Sequence, residues 1–430
     1  MSKKSVSVPV LAGLALVLFG GSYALGRSNF NPFSKISFSA APKDSSAIAV
    51  ALHKRCGTLG GDAKTNCYSK PLDSLATEGQ VRTAMGALTQ IAALDIDVKR
   101  DGHVFAHGIG IAGGKSGGDV AATFAMCDPS NQSGCYHGVI QSYFASAKTL
   151  GGPEVNKLCE PFRGPNADRW IRFQCVHGMG HGFEMVYNHD LPKSLKGCDF
   201  LTDSWDRRSC YGGVFMENIV NVTMPKHPAH DMASHADMPG MDHHAEAPFK
   251  AIEPSDPLYP CSIVGEQYLV SCYEMQTSVI LHLNQGNIGA TAKTCDTAPG
   301  AMRYICYQSL GRDISAYALQ DYGKSKEMCG LGTPKYQPWC FFGLVKNFVD
   351  LNARPGDGFA FCKTLDGDAN KMKCYEAVGE QIGTLRNDNE GRRSMCMPAE
   401  KPYLEACLFG ARVGSAPELL TELNARAAGI

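Results

Sequence analysis

The sequence predicts an all-α fold: a right-handed solenoid of about ten αα-hairpin repeats, each near 34 residues, nine of them carrying one local disulfide. Three observations predict it. The 18 cysteines of the 430-residue chain fall into nine successive pairs: Cys56 with Cys67, Cys127 with Cys135, Cys159 with Cys175, Cys198 with Cys210, Cys261 with Cys272, Cys295 with Cys306, Cys329 with Cys340, Cys362 with Cys374, and Cys396 with Cys407. The second cysteines from Cys272 to Cys407 recur at intervals of 34, 34, 34 and 33, the period of a two-helix repeat. After each second cysteine the apolar residues keep helical spacing, as in Cys306, Leu310, Ile314, Tyr317 and in Cys175, Met179, Phe183, Val186.

At the N-terminus a basic head, Met1 to Lys4, precedes an uncharged run from Val6 to Leu25. Residues 1–25 read as a signal-anchor or transmembrane helix, with a cleaved signal peptide as the alternative. Lys3 and Lys4 then stay cytoplasmic and the rest is exported. The expected location is a bacterial inner membrane with the repeats in the periplasm, or secretion if the segment is cleaved. Such a compartment suits 18 cysteines. Residues 26–46, rich in Ser, Asn, Pro and Ala, read as a linker. The net charge of −1 predicts no nucleic-acid partner.

Residues 47–221 hold the first five repeats. The step of 68 from Cys67 to Cys135 leaves room for a repeat without cysteines, and Phe105 fills its second-cysteine position. Residues 222–250 interrupt the period. Residues 251–430 hold five more repeats, with Ala416 to Ile430 as a capping helix. Gly, Pro or Asp between the paired cysteines, as in Asp296 to Gly300, places a turn there. The first cysteine therefore closes a short helix and the second opens a longer one. Closing an 11-residue loop stabilises by roughly 2–3 kcal/mol, and local staples of this kind suit an elongated array without a single core. An aromatic follows most second cysteines, including Tyr68, Tyr136, Tyr211, Tyr273, Tyr307, Phe341 and Tyr375. The layout resembles the cysteine-rich Sel1-like repeat proteins, whose αα-hairpins are also stapled by disulfides. That resemblance implies architecture only, because the cysteine spacing here is longer and the family's Ala/Leu-Gly-x-x-Tyr pattern is missing.

Two residues beyond the second-cysteine position stand His107, His137 and His177 in repeats two, three and four, each followed by Gly. Equivalent positions of a solenoid stack on neighbouring hairpins about 10 Å apart, so the three rings are expected to converge. At offset 2 they point about 200° around the helix from offset 4, away from the apolar stripe. His103 and His181 extend the series at i,i+4 spacing from His107 and His177, the spacing with which one helix chelates a metal ion. Neither pair has the adjacent Glu of a zinc protease. Glu184 and Glu217, with Asp190, are candidates to orient an imidazole from behind. The bland alternative makes His-Gly a packing motif. Five of the 13 histidines on three adjacent repeats favour a site. Arg172, Arg207 and Arg303, each three residues before a second cysteine, read as helix-end anchors that bond the preceding turn, with a basic ladder as the alternative.

The insertion carries Met224, His227, His230, Met232, His235, Met238, Met241, His243 and His244 on a Pro/Ala/Asp background without apolar period. It reads as a loop outside any core. Thioether with imidazole suits copper, Met for Cu(I) and His for Cu(II). Asp237 to His244 is similar to the Met/His-rich stretches of periplasmic copper-resistance proteins, which implies copper binding. The chain shows no CxxC, no P-loop and no GxGxxG after a strand pattern.

Three functions follow as expectations. The first is a membrane-tethered transition-metal protein for capture, delivery or tolerance, copper favoured over zinc or iron. The second is a metal-dependent enzyme built on the five histidines, with an open coordination position. The third is an interaction scaffold that binds an envelope protein on the solenoid surface.

Overall fold

Short polar caps and cysteine-closed turns set the repeat before any long-range contact does. In the computed structural model, which describes residues 44–115, 119–164, 167–223 and 249–428, there are 21 α-helices and no strand among those residues. Each repeat pairs an outer helix with an inner helix. Repeat one has α1 (Asp44–Cys56) and α2 (Gly61–Thr77), and repeat two has α3 (Val81–Leu94) and α4 (Ile96–Gly114). Then follow α5 (Val120–Phe124) with α6 (Gly134–Ser146), α7 (Gly152–Leu158) with α8 (Arg169–Val186), and α9 (Leu191–Asp199) with α10 (Ser204–Thr223). Repeat six has no outer helix over its described residues, and its inner helix is split into α11 (Leu269–Tyr273) and α12 (Thr277–Leu283). The split holds because the buried Gln276 amide donates to the carbonyls of Pro257 and Tyr259, each at 2.8 Å. Repeats seven to ten are α13 (Ile288–Cys295) with α14 (Met302–Tyr317), α15 (Tyr322–Gly330) with α16 (Gln337–Asp350), α17 (Pro355–Cys362) with α18 (Asp368–Leu385), and α19 (Asn389–Cys396) with α20 (Leu404–Gly410). The cap is α21 (Glu418–Ala428).

Outer helices begin on capping side chains that accept from the backbone three residues on, among them Asp190 to Lys193, Asn287 to Ala290 and Asp321 to Lys324. Each such cap contributes about 1 kcal/mol. All nine expected disulfides form: Cys56 to Cys67, Cys127 to Cys135, Cys159 to Cys175, Cys198 to Cys210, Cys261 to Cys272, Cys295 to Cys306, Cys329 to Cys340, Cys362 to Cys374 and Cys396 to Cys407. Their Cα atoms lie 5.5–5.9 Å apart, and no described cysteine is free. The aromatic after the second cysteine fills the hairpin. Tyr68, Tyr136, Tyr307 and Tyr375 are wholly buried, and their hydroxyls donate to Asp95, the Cys127 carbonyl, Asp296 and Glu400. The apolar stripe is shorter than its spacing suggests: Leu310 and Ile314 are buried, whereas Tyr317 is 50 % exposed.

The inner helices stack on one another in chain order, from α2 through α20. In four pairs the helices touch backbone to backbone through glycine. A Cβ on Gly138 would lie 2.2 Å from the His107 carbonyl oxygen, and one on Gly110 would lie 2.0 Å from that of Cys135. Gly213 against His177 and Gly180 against Cys210 repeat this reciprocal contact between α8 and α10. In the second half Gly343 against Gln308 and Gly311 against Cys340 repeat it, as do Gly410 against Glu376 and Gly379 against Cys407.

The stack does not run straight. Lys99 Nζ donates to the Leu319 carbonyl at 3.4 Å, Gln132 N to the Leu351 carbonyl at 3.5 Å, and Asn387 Nδ2 to the Ala167 carbonyl. Each contact joins the start of one inner helix to the end of the inner helix five repeats later. The described residues of the unit Phe38–Ile430 thus form a superhelix whose turns touch, which corrects the expectation of an elongated array. Small rotations between glycine-packed helices accumulate until turns meet.

Among the described residues no helix is long and apolar enough to cross a membrane. The anchor expected in 1–25 and the linker before residue 44 lie outside the described residues. So do all nine Met and His residues of the insertion. Helix α10 continues to Thr223, two residues past the expected break. Phe249 stacks on Tyr259 at 5.8 Å, so the far edge of the insertion already belongs to repeat six.

Candidate metal centre

Three consecutive inner helices bring the five histidines together. Helix α4 supplies His103 and His107, α6 supplies His137, and α8 supplies His177 and His181. The glycine contacts set the approach of these helices and of their support: Gly138 lets α6 settle on the His107 backbone, and Gly213 lets α10, which carries Ser209 and Glu217, settle on that of His177. Ring centroids lie 4.6 Å apart for His103 and His107, 5.3 Å for His107 and His137, 4.9 Å for His137 and His177, 5.0 Å for His107 and His181, and 5.1 Å for His177 and His181. Two triads result. One is His103, His107 and His137; the other is His137, His177 and His181. In each, one nitrogen per ring lies within 4.8 Å of the others. His137 belongs to both.

The expectation that these rings point away from the apolar stripe holds, yet they do not face solvent. His107 is 0 %, His137 3 %, His177 7 % and His181 1 % exposed. An inner helix is flanked on both sides by its neighbours in the stack, so the side opposite its own hairpin is buried too.

Main-chain and carboxylate oxygens fix the roles of the ring nitrogens in three of the five histidines. His103 Nδ1 donates to the Asn131 carbonyl at 3.0 Å, His177 Nδ1 to the Ser209 carbonyl at 3.1 Å, and His181 Nδ1 to the Glu217 carboxylate at 2.6 Å. These oxygens only accept, so the opposite nitrogen, Nε2, carries a lone pair in each neutral ring. His107 Nδ1 meets Gln141 Oε1 and His137 Nε2 meets Gln174 Oε1, both at 3.0 Å. The lone pairs opposite these bonds are Nε2 of His103, His107, His177 and His181 and Nδ1 of His137. His137 Nδ1 and His181 Nε2 are buried without any hydrogen-bond partner, an arrangement that costs about 1–3 kcal/mol per atom unless something binds there. His103 Nε2 and His107 Nε2 stand 3.1 Å apart, a separation that a proton or a metal ion between them makes favourable. A cation with bonds of 2.0–2.1 Å sets its ligand nitrogens about 3.3 Å apart in tetrahedral geometry, so the i,i+4 pair already has the right bite.

Burial first, then the neighbouring imidazoles, hold His137 and His177 well below the usual histidine range. Their rings are neutral at ordinary pH and need shed no proton to coordinate. Glu217 is 1 % exposed and bonds His181 from behind, the expected carboxylate–histidine arrangement. Glu184 does not reach the rings. It lies one helical turn beyond His181, fully buried, 3.6 Å from His189 Nδ1. Burial raises the Glu184 carboxyl, and although burial opposes it, Glu184 raises His189. His189 is thus half of a buried pair. Arg207 and Arg303 anchor the preceding turns as expected, donating to the carbonyls of Leu201 and Ala298. Arg172 instead pairs with Asp203 and Asp206.

Gln141 and Gln174 are the site residues that sequence reading missed. A signal existed for Gln141: it stands six residues past Cys135, the place His181 occupies after Cys175. The carbonyls of Asn131 and Ser209 have no signature in side-chain identity. The residues present therefore fit a transition-metal ion. In comparisons with protein-family models, with curated proteins and with solved structures, nothing matches the chain.

Proposed function

We propose that this chain is an exported, membrane-tethered protein that binds a transition-metal ion, copper in the first place, and serves its capture and delivery or tolerance. One observation carries the reading. Five imidazoles on three helices each have one nitrogen engaged by an oxygen acceptor or by Gln, and the opposite lone pairs gather in two overlapping triads. An all-imidazole set suits copper, zinc, iron and nickel, and among divalent first-row ions copper binds nitrogen donors most tightly. The Met/His segment favours copper over the others because thioethers add little for zinc or iron. Nine disulfides support an oxidising compartment, where no thiol competes for the ion. In this reading the segment collects the ion at the surface and the buried cluster holds it. Burial of four of the five rings to 7 % or less favours holding over turnover, since a catalytic site keeps an open position.

The test is elemental analysis of protein loaded with copper and dialysed. Three forms are compared: the full chain, the chain without residues 224–248, and the double variant His107→Ala with His177→Ala. Copper is expected to persist in the deletion at slower loading and to disappear in the double variant. Equal copper in all three would sink the proposal.

A further inference from the structure

Where the superhelix closes on itself, repeat four meets the junction of repeats nine and ten across a cleft of about 260 Å³, lined by Arg163, Arg169, Arg172 and Arg392 with Phe162 and Asn387. The charges in it do not balance. Asp206, fully buried, is shared by Arg163 and Arg172, and Asp203 lies 3.2 Å from Arg172. Glu160, 3.3 Å from Arg163, adds a third carboxylate, so Arg163 and Arg172 are fully answered and none of the three carboxylates forms an ion pair with Arg169 or Arg392. Arg169 forms no ion pair among the described residues. Its guanidinium lies over the Trp205 ring at 4.4 Å, and its Nε is buried without a hydrogen-bond partner. Arg392 is 7 % exposed and held rigid by donating to the carbonyls of Arg386, Gly383 and Ala411. Burial and the nearby Arg392, Arg412 and Arg172 weaken the hold of Arg169 on its proton, with Asp203 opposing, as expected of a cation crowded by cations.

We propose that this cleft binds a small oxyanion-bearing ligand, a phosphate or carboxylate group seated between Arg169 and Arg392 and bridging two turns of the superhelix. Guanidinium forks match the oxygens of such groups in pairs. The volume is below the usual range for drug-sized ligands, so it suits a small acid or the anionic end of a longer molecule. Because the two arginines stand on different turns of the superhelix, the bound anion ties the turns together and stabilises the fold by linkage. Arg169 and Arg172 share α8 with His177 and His181, yet no lining residue of the cleft belongs to the histidine triads.

Calorimetric titration with inorganic phosphate and with succinate, against chloride at matched ionic strength, tests this, with thermal unfolding measured alongside. Saturable binding and a rise in Tm are expected. Arg169→Gln should weaken binding at least tenfold and cancel the rise, with the copper content of the histidine cluster unchanged. Binding of phosphate alone assigns a phosphoryl ligand, and binding of succinate alone assigns a carboxylic acid. Should Arg169→Gln fail to fold, Arg169→Lys, which keeps the charge and removes the fork, is expected to show a partial loss. No saturable binding above the chloride control, or undiminished binding in the Arg169 variants, overturns the proposal.

Discussion

His137 is the residue on which the two triads depend, since it is the one ring common to both. Replacing it with Ala removes a ligand from each triad. Replacing His103 leaves the second triad whole, and replacing His177 leaves the first. His137→Ala is therefore expected to lose nearly all bound copper after dialysis, whereas each of the other two single variants retains part of it. Equal losses from the three would mean that the rings do not act as overlapping triads. A second residue bears on stability alone. Burial pushes the Asp73 carboxyl up to about 7, with Lys115 opposing, and its Oδ1 has no partner. Its unfolded value is about 3.9, so the folded chain binds the extra proton between those limits. Stability contributed by this group is complete below pH 4 and is lost as pH rises through 7. Asp73→Asn is expected to match the natural protein near pH 4 and to exceed it by on the order of 1–2 kcal/mol at pH 8, measured by urea unfolding at both pH values.

At the scale of the helix, glycine decides how closely the histidine-bearing helices approach one another and α10, which holds His177 and His181 from behind. A methyl at Gly138 or Gly213 would meet a backbone carbonyl at 2.2 or 2.0 Å, so a helix must move. Overpacking of this kind costs about 1–3 kcal/mol or more. Gly152, at the start of α7, has nothing within 4 Å of such a methyl and serves as the control. Gly138→Ala and Gly213→Ala are expected to lower the unfolding midpoint and weaken copper binding together, whereas Gly152→Ala does neither. The hairpins themselves were legible because every rule that forms them is local: an Asp or Asn cap, a turn, and a cysteine pair 8–16 residues apart. Convergence of the histidines was legible too, because a fixed slot in a repeat becomes a fixed place in the stack. Their burial was not. A stripe at offsets 0, 4 and 8 reports packing within one hairpin, and the side at offset 2 is covered by the next repeats. The partners of His103 and His177 are main-chain oxygens, which any residue supplies.

The path of the whole stack was the least legible feature, because curvature comes from a few degrees of rotation per repeat and no single residue encodes it. Its trace is the constant step between contacts: 99 to 319, 132 to 351, 167 to 387. Each crosses five repeats, and no disulfide spans that seam, since the longest closes 16 residues. Closure therefore rests on non-covalent contacts alone, these hydrogen bonds and the packing of α18 against α8. The difference in dimension is large enough to measure. A compact domain the size of residues 38–430 without 224–248 has a radius of gyration of about 21 Å. Ten hairpins stacked straight at about 10 Å intervals would form a rod with a radius of gyration near 30 Å. X-ray scattering in solution is expected to give the smaller value, and a value near 30 Å would mean that the turns do not meet. That result would also pull Arg169 away from Arg392 and abolish the anion cleft while leaving the histidine triads intact, since those lie within adjacent repeats. Scattering, anion binding and copper binding thus separate the closure of the superhelix from the chemistry held inside it.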